Sequence, residues 1–287
     1  MDELNINSVS LNRSSDLSIL YLNVALATAS IAFLLDDWAH RRFVYSRFMP
    51  SDVDFIDIGP DVEPEVAARK LRQHWKLGVE PISDMVELLE AKGARVFSIT
   101  NESLCLHTFS GWRNEVPYIF CSNLDSAVNF RFTLAEQLGH LVLHRHTRPK
   151  HYKNVLHAVR AFASAFLMPE SGMKSYEKPR YLYLDETYEF VQHWRVTGTV
   201  LIARLLKLRK ITRSTYSLLL NQIKNTDQQY GCGELVPVRM QTETSLLWDE
   251  ILQRLKKNGT PLWQVSNQVL VQEEEIVKLL LVDSLSK

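Results

Sequence analysis

The chain has 287 residues, 46% of them apolar and 23% charged, a balance that excludes a disordered protein and allows one extended core or a few modest domains. Its 33 basic residues equal its 33 acidic ones, so no whole-molecule field gathers nucleic acid and any such contact has to come from a local patch. Three cysteines, Cys105, Cys121 and Cys232, with no CxxC pair, exclude a disulfide framework or a cysteine zinc knuckle and fit a reducing cytoplasm.

In chain order, residues 1–16 are polar and are expected to be loose. The uncharged run LSILYLNVALATASIAFLL, Leu17–Leu35, has the length of a bilayer-spanning helix. Ser18, Asn23, Thr28 and Ser30 interrupt it, only Arg13 precedes it, and the chain opens Met1-Asp2-Glu3. A buried core helix is therefore expected, rather than a membrane span or a secretory signal. Asp36, Asp37 and a basic, aromatic stretch to Arg47 follow. Met49-Pro50 and the acidic run from Ser51 to Glu65 predict a linker, with a boundary near residue 60.

Pro64 sits at the start of the helical pattern EVAARKLRQHWKL, where proline is well tolerated. Pro81 precedes a second, ISDMVELLEAKG, which Gly93 stops. Ala94–Ile99 predicts a strand. Leu104–Phe109 and Val116–Cys121 predict a strand pair with Gly111-Trp112 as its turn. FRFTLAEQLGHLVLHR, from Phe130, predicts a long helix, and Asn154–Met168 another, stopped by Pro169. Beyond residue 180 only helical patterns remain: Tyr188–Arg195, Thr199–Leu208, Ser214–Lys224, Leu246–Lys257, Pro261–Val269 and Glu273–Val282. The expected fold class is α+β, a short mixed sheet with helices.

The window Glu136-Gln137-Leu138-Gly139-His140 is where chemistry would sit. Residues four apart share a helix face, so two ligands at that spacing can meet one metal, with the residue after the first placed to activate bound water. FTLAEQLGHLVLH resembles the zinc helix of the ImmA/IrrE family of metallopeptidases, which carries His-Glu-x-x-His there. The pattern from Ala67 to Ile99, Phe109-Ser110-Gly111-Trp112 and Val116-Pro117-Tyr118-Ile119 resembles the family's leading helices and strands. Phe162-Ala163-Ser164-Ala165-Phe166-Leu167-Met168-Pro169 resembles the end of its second helix, and the helices after residue 185 resemble the tail of longer members. The resemblance covers most of residues 62–282. It implies a small zincin-like domain at 61–180, preceded by a helical N-terminal region, 1–60, and followed by a helical C-terminal domain, 181–287.

Against that family pattern, Glu136 stands at the first histidine and Gln137 at the catalytic glutamate. Ala158 stands at the third ligand, and only His140 is kept. An amide cannot take a proton from water and a methyl group offers no lone pair, so these positions point away from catalysis and from a resident zinc. Glu136, His140 and His144, one turn apart, form a stripe that offers at most a rebuilt, weak metal site. With His146, His151 and His157 nearby, the plainer expectation is a basic, histidine-rich helix end facing solvent, with His140 kept as a packing or hydrogen-bonding residue.

The resemblance implies a cytoplasmic bacterial or phage protein of stress, toxin–antitoxin or phage-defence regulation. A member without the cut would bind a protein partner, such as a repressor, a toxin or a defence effector, with no membrane role. Longer relatives add an N-terminal helix-turn-helix, and the apolar N-terminal region here lacks that basic two-helix pattern. Arg204, Lys207, Arg209, Lys210 and Arg213 lie in a stretch without acidic residues and could contact phosphates from a helix pair around Arg209-Lys210-Ile211-Thr212. The last pair, Pro261–Val282, has similar spacing, but Glu273-Glu274-Glu275 would repel phosphate, so it is expected to pack or dock protein. No glycine-rich phosphate loop and no Gly-x-Ser-x-Gly elbow is present.

Overall fold

The computed structural model describes residues 5–6, 15–43, 58, 62–99, 108–122, 126–145, 152–175, 184–230, 236 and 240–282. A sheet in the order β1-β3-β4-β2 is its centre. β2 (Arg95–Ser98) runs parallel to β4 (Val116–Cys121), and β3 (Thr108–Arg113) pairs with β4 antiparallel. β1 (Asn5–Ile6) pairs antiparallel with β3, Asn5 opposite Trp112. The expectation that residues 1–16 are loose is corrected there. The outer edge of β3 offers unpaired backbone groups, and two residues of the N-terminal segment take them up.

A second correction concerns the hairpin. Gly111 and Trp112 lie inside β3, Gly111 opposite Tyr118, and the turn is Asn114-Glu115, whose φ angles are 48° and 64°. Two consecutive positive φ values give a turn whose twist matches the strands, and asparagine adopts that backbone more readily than most residues. The residues 104–107 of the expected strand lie outside the described residues.

Both sheet faces are buried, which is why the strands read as unbroken apolar runs. Phe97, Phe109, Tyr118 and Phe120 face one core, and Val96, Trp112, Ile119 and Cys121 face the other. The first core is closed by α1 (Ser15–Arg42), α9 (Leu246–Lys257), α10 (Leu262–Val269) and α11 (Glu273–Leu279). The second is closed by α2 (Pro64–His74), α3 (Met85–Ala91), α4 (Ala127–Leu143), α5 (Tyr152–Leu167), α6 (Leu184–Trp194), α7 (Gly198–Lys207) and α8 (Arg213–Tyr230). Residues from all three expected segments, 1–60, 61–180 and 181–287, enter each core. The linker residues 44–57 and 59–61 lie outside the described residues, as do Cys105 and Cys232. Cys121 is buried and is in no disulfide among the described residues.

α1 is long and apolar enough over Leu22–Arg42 to cross a membrane by length and composition. Its stripe Ala25, Ala29, Ala32, Leu35 and Ala39 is buried, and the small side chains bring the helix close to the aromatic sheet face. Asp36 completes that seat. It is buried and accepts hydrogen bonds from Arg95 Nε at 2.7 Å and Tyr118 Oη at 2.5 Å. Burial, and then Asp36, hold the Tyr118 phenol well above its ordinary pKa. Asp37 takes the two terminal nitrogens of Arg113 at 2.8 and 2.9 Å.

The C-terminal helices are fastened by two carboxylates exchanged across α3. Glu243, buried, accepts the N–H groups of Met85 at 2.8 Å and Val86 at 3.3 Å, at the start of α3, and pairs with Arg131. In return Glu90, near the end of α3, accepts from the Ser245 hydroxyl and from Leu247 N–H at 3.0 Å, at the start of α9. Each carboxylate thus meets helix N-terminal donors that have no partner inside their own helix.

Burial raises the Glu90 pKa from 4.5 to about 7, the bonds from Ser245 and Leu247 opposing the shift. A raised folded pKa means that the folded chain binds the proton more tightly than the unfolded one. The contribution is full below pH 4.5 and is lost as pH rises through about 7. Chemical denaturation across that range should show wild type losing up to about 3 kcal/mol relative to Glu90→Gln. A pH-independent difference between the two proteins would exclude this coupling.

Candidate functional site

α4 starts at Ser126, whose side chain accepts from Asn129 N–H, and crosses α5 closely at Gly139. A Cβ on Gly139 would lie 3.1 Å from Phe162 Cδ1, so a larger residue there would force the Phe162 ring aside. The end of α5 is held by two buried arginines. Arg72 Nη1 donates to the Phe166 carbonyl at 2.7 Å and Arg204 Nε to the Met168 carbonyl at 3.1 Å. These are carbonyls that a helix end leaves without partners. Burial lowers the Arg72 pKa to about 10.

On this frame Glu136 and His140 are placed by α4, and Ala158 by α5. Glu136 is paired across to α5. Its carboxylate accepts from Arg160 Nε at 3.0 Å, one face of the pair 16% exposed and the other 62%. Burial raises the Glu136 pKa, and Arg160 opposes the rise. Gln137 is buried. Its amide nitrogen donates to Thr108 Oγ1 at 3.1 Å and its backbone carbonyl accepts from Ser110 Oγ at 3.4 Å, tying α4 to β3. Ala158 is half-buried against the apolar core.

His140 is buried, as a packing residue would be, and the expectation of a solvent-facing helix end is corrected at His144. His140 and His144 are buried, not solvent-facing, with ring centroids 5.5 Å apart. Neither Nδ1 has a hydrogen-bond partner among the described residues. Burial, and then His144, push the His140 pKa down to about 3, and burial lowers that of His144, so both rings are neutral near pH 7. His146 and His151 lie outside the described residues, and His157 is exposed on α5.

Among the described residues no set of three His, Cys, Asp or Glu side chains converges as a metal site. The donors present along α4 and at its end are one carboxylate already paired with a guanidinium and two buried imidazoles, His140 and His144. A catalytic zinc needs three protein ligands and a basic group beside its water. Among the described residues these donors do not converge as that ion requires, and Gln137, beside Glu136, is an amide that cannot act as a base.

The basic stretch divides. Arg204 is buried, paired with Glu65 at 3.1 Å and bonded to Met168, so it is withdrawn from the expected phosphate contacts. Lys207, Arg209 and Arg213 are exposed and Lys210 is half-buried. Arg209 takes a positive φ of 56° in the turn between α7 and α8.

Two neighbouring cavities open beside Glu136, sharing Arg160, Ser164 and Ala203. One, of about 540 Å³, reaches Glu136, Thr133 and the α7 start at Thr197. The other, of about 460 Å³, runs between α5 and α7 to His157 and Lys207. Sequence reasoning missed Arg160. A basic residue two positions after Ala158 is the one visible signal, and its pairing with Glu136 depends on how α4 and α5 meet.

Residues 89–206 match the Peptidase_M78 family model, whose description is IrrE N-terminal-like domain. The match starts inside α3 and runs into the last turn of α7, past the expected boundary at residue 180. No curated protein matches the chain.

Proposed function

We propose that this chain, which carries an IrrE N-terminal-like domain of the Peptidase_M78 family over residues 89–206, keeps the peptidase frame and regulates a protein partner by occupying it rather than by cutting it. The observation that supports this reading is the ion pair between Glu136 and Arg160. It sets a guanidinium against one oxygen of the carboxylate, so that a cation bound to Glu136 would meet like charge. Gln137 and Ala158 complete the case, the first unable to act as a base and the second unable to ligate.

In this reading the cleft beside α4 retains its binding role. The chain acts in the cytoplasm within bacterial or phage stress and defence regulation, where a repressor, a toxin or a defence effector is the partner. Pull-down of the partner from the native host, with and without a strong chelator, tests it. The expected outcome is a full-length partner whose capture the chelator leaves unchanged. A partner recovered as fragments, with fragmentation blocked by the chelator, contradicts it.

A further inference from the structure

The groove between α5 and α7 is lined by the apolar side chains of Leu156, Ala161 and Ala203 and by His157, Arg160 and Lys207. Its remaining charges cancel internally, because Arg204 is held by Glu65. Arg160 gives Nε to Glu136, and its two terminal nitrogens have no partner among the described residues, though the side chain is 62% exposed. Lys207 is exposed and has no carboxylate partner among the described residues. Two cationic groups therefore face one apolar trough with donors to spare, and a guanidinium fork is shaped for a carboxylate.

We propose that this groove receives an acidic, partly apolar peptide segment of the protein partner, its carboxylates meeting Arg160 and Lys207 and its apolar side chains lying on Leu156, Ala161 and Ala203. The assignment rests on the reading of the domain as a binding module. A nucleic-acid backbone suits the groove less well. Glu65 lines it, Glu136 lines the neighbouring cavity, part of its lining is apolar, and Lys207 is the single exposed member of the expected phosphate-contacting set that reaches it.

The test uses the full chain and fluorescence anisotropy. The probe is a short, labelled, C-terminally amidated peptide rich in glutamate and leucine, beside its lysine–leucine counterpart, with short duplex DNA as competitor. The acidic peptide should bind, weaken with added salt and ignore the DNA, while the lysine peptide should not bind. Placing two carboxylates on the groove, by Lys207→Glu together with His157→Glu, should weaken binding about tenfold or more. Both positions are exposed, and a melting curve confirms that the variant folds.

Failure of the acidic peptide to bind, equal binding to the doubly substituted variant, or its displacement by DNA overturns the assignment. The mass of the recovered peptide after incubation with zinc separates the two readings. A cleaved peptide sinks the non-cutting function and leaves the groove assignment standing, and an intact but unbound peptide does the reverse.

Discussion

Arg131→Ala is expected to cost about 3–5 kcal/mol of folding stability, a large share of what a domain of this kind possesses. Arg131 is fully buried in α4, and its guanidinium donates to the Glu243 carboxylate and to the Ile82 carbonyl. Its removal strands Glu243 in an apolar interior with the N–H groups of Met85 and Val86 as its remaining partners. Burial already raises the Glu243 pKa, and Arg131 is the group that opposes the rise. Urea denaturation of the variant gives the loss. Replacing both members together, Arg131→Met with Glu243→Gln, should recover part of it, because no charge is then left unpaired. A single variant within about 1 kcal/mol of wild type would mean that the pair does not fasten the C-terminal helices.

The second large effect is expected at Asp36. In Asp36→Ala the buried Arg95 guanidinium and the Tyr118 hydroxyl lose a shared acceptor, again at about 3–5 kcal/mol. Here the loss should be uneven. α1 is seated by its alanine stripe and by Asp36 and Asp37, so its amides should exchange with solvent faster while those of α4 and α5 stay protected. Hydrogen exchange read by mass spectrometry separates the two regions. Equal loosening of α1 and α4 would place Asp36 in the general core rather than in the tether.

Much of the fold was legible because its elements announce themselves locally. α9 matches the expected Leu246–Lys257, α2 and α7 differ from their expected ends by a few residues, and β4 matches Val116–Cys121. Gly111 misled because glycine is permitted in turns, whereas the turn belongs to Asn114-Glu115. What was not legible is what depends on residues far apart in the chain. Arg131 sits in a helical pattern that gives no sign that its charge is buried, and Glu243 and Glu90 look like ordinary surface carboxylates until the C-terminal segment folds back over α3.

The candidate site divides in the same way. Glu136, Gln137, His140 and Ala158 stood out by spacing and by the family resemblance. Arg160 did not, and neither did the burial of Arg204, because both pairings are made across helices: Arg160 with Glu136, and Arg204 with Glu65. Local charge counting treats such arginines as unpaired, whereas tertiary contact pairs both and buries Arg204.

Elemental analysis of the untagged protein beside Gln137→Ala and His140→Ala tests whether the α4 face holds a catalytic metal. The expected result is a metal content far below one per chain that neither substitution changes. One tightly held metal per chain, lost in His140→Ala and kept in Gln137→Ala, would contradict it and mean that the site has been rebuilt around His140.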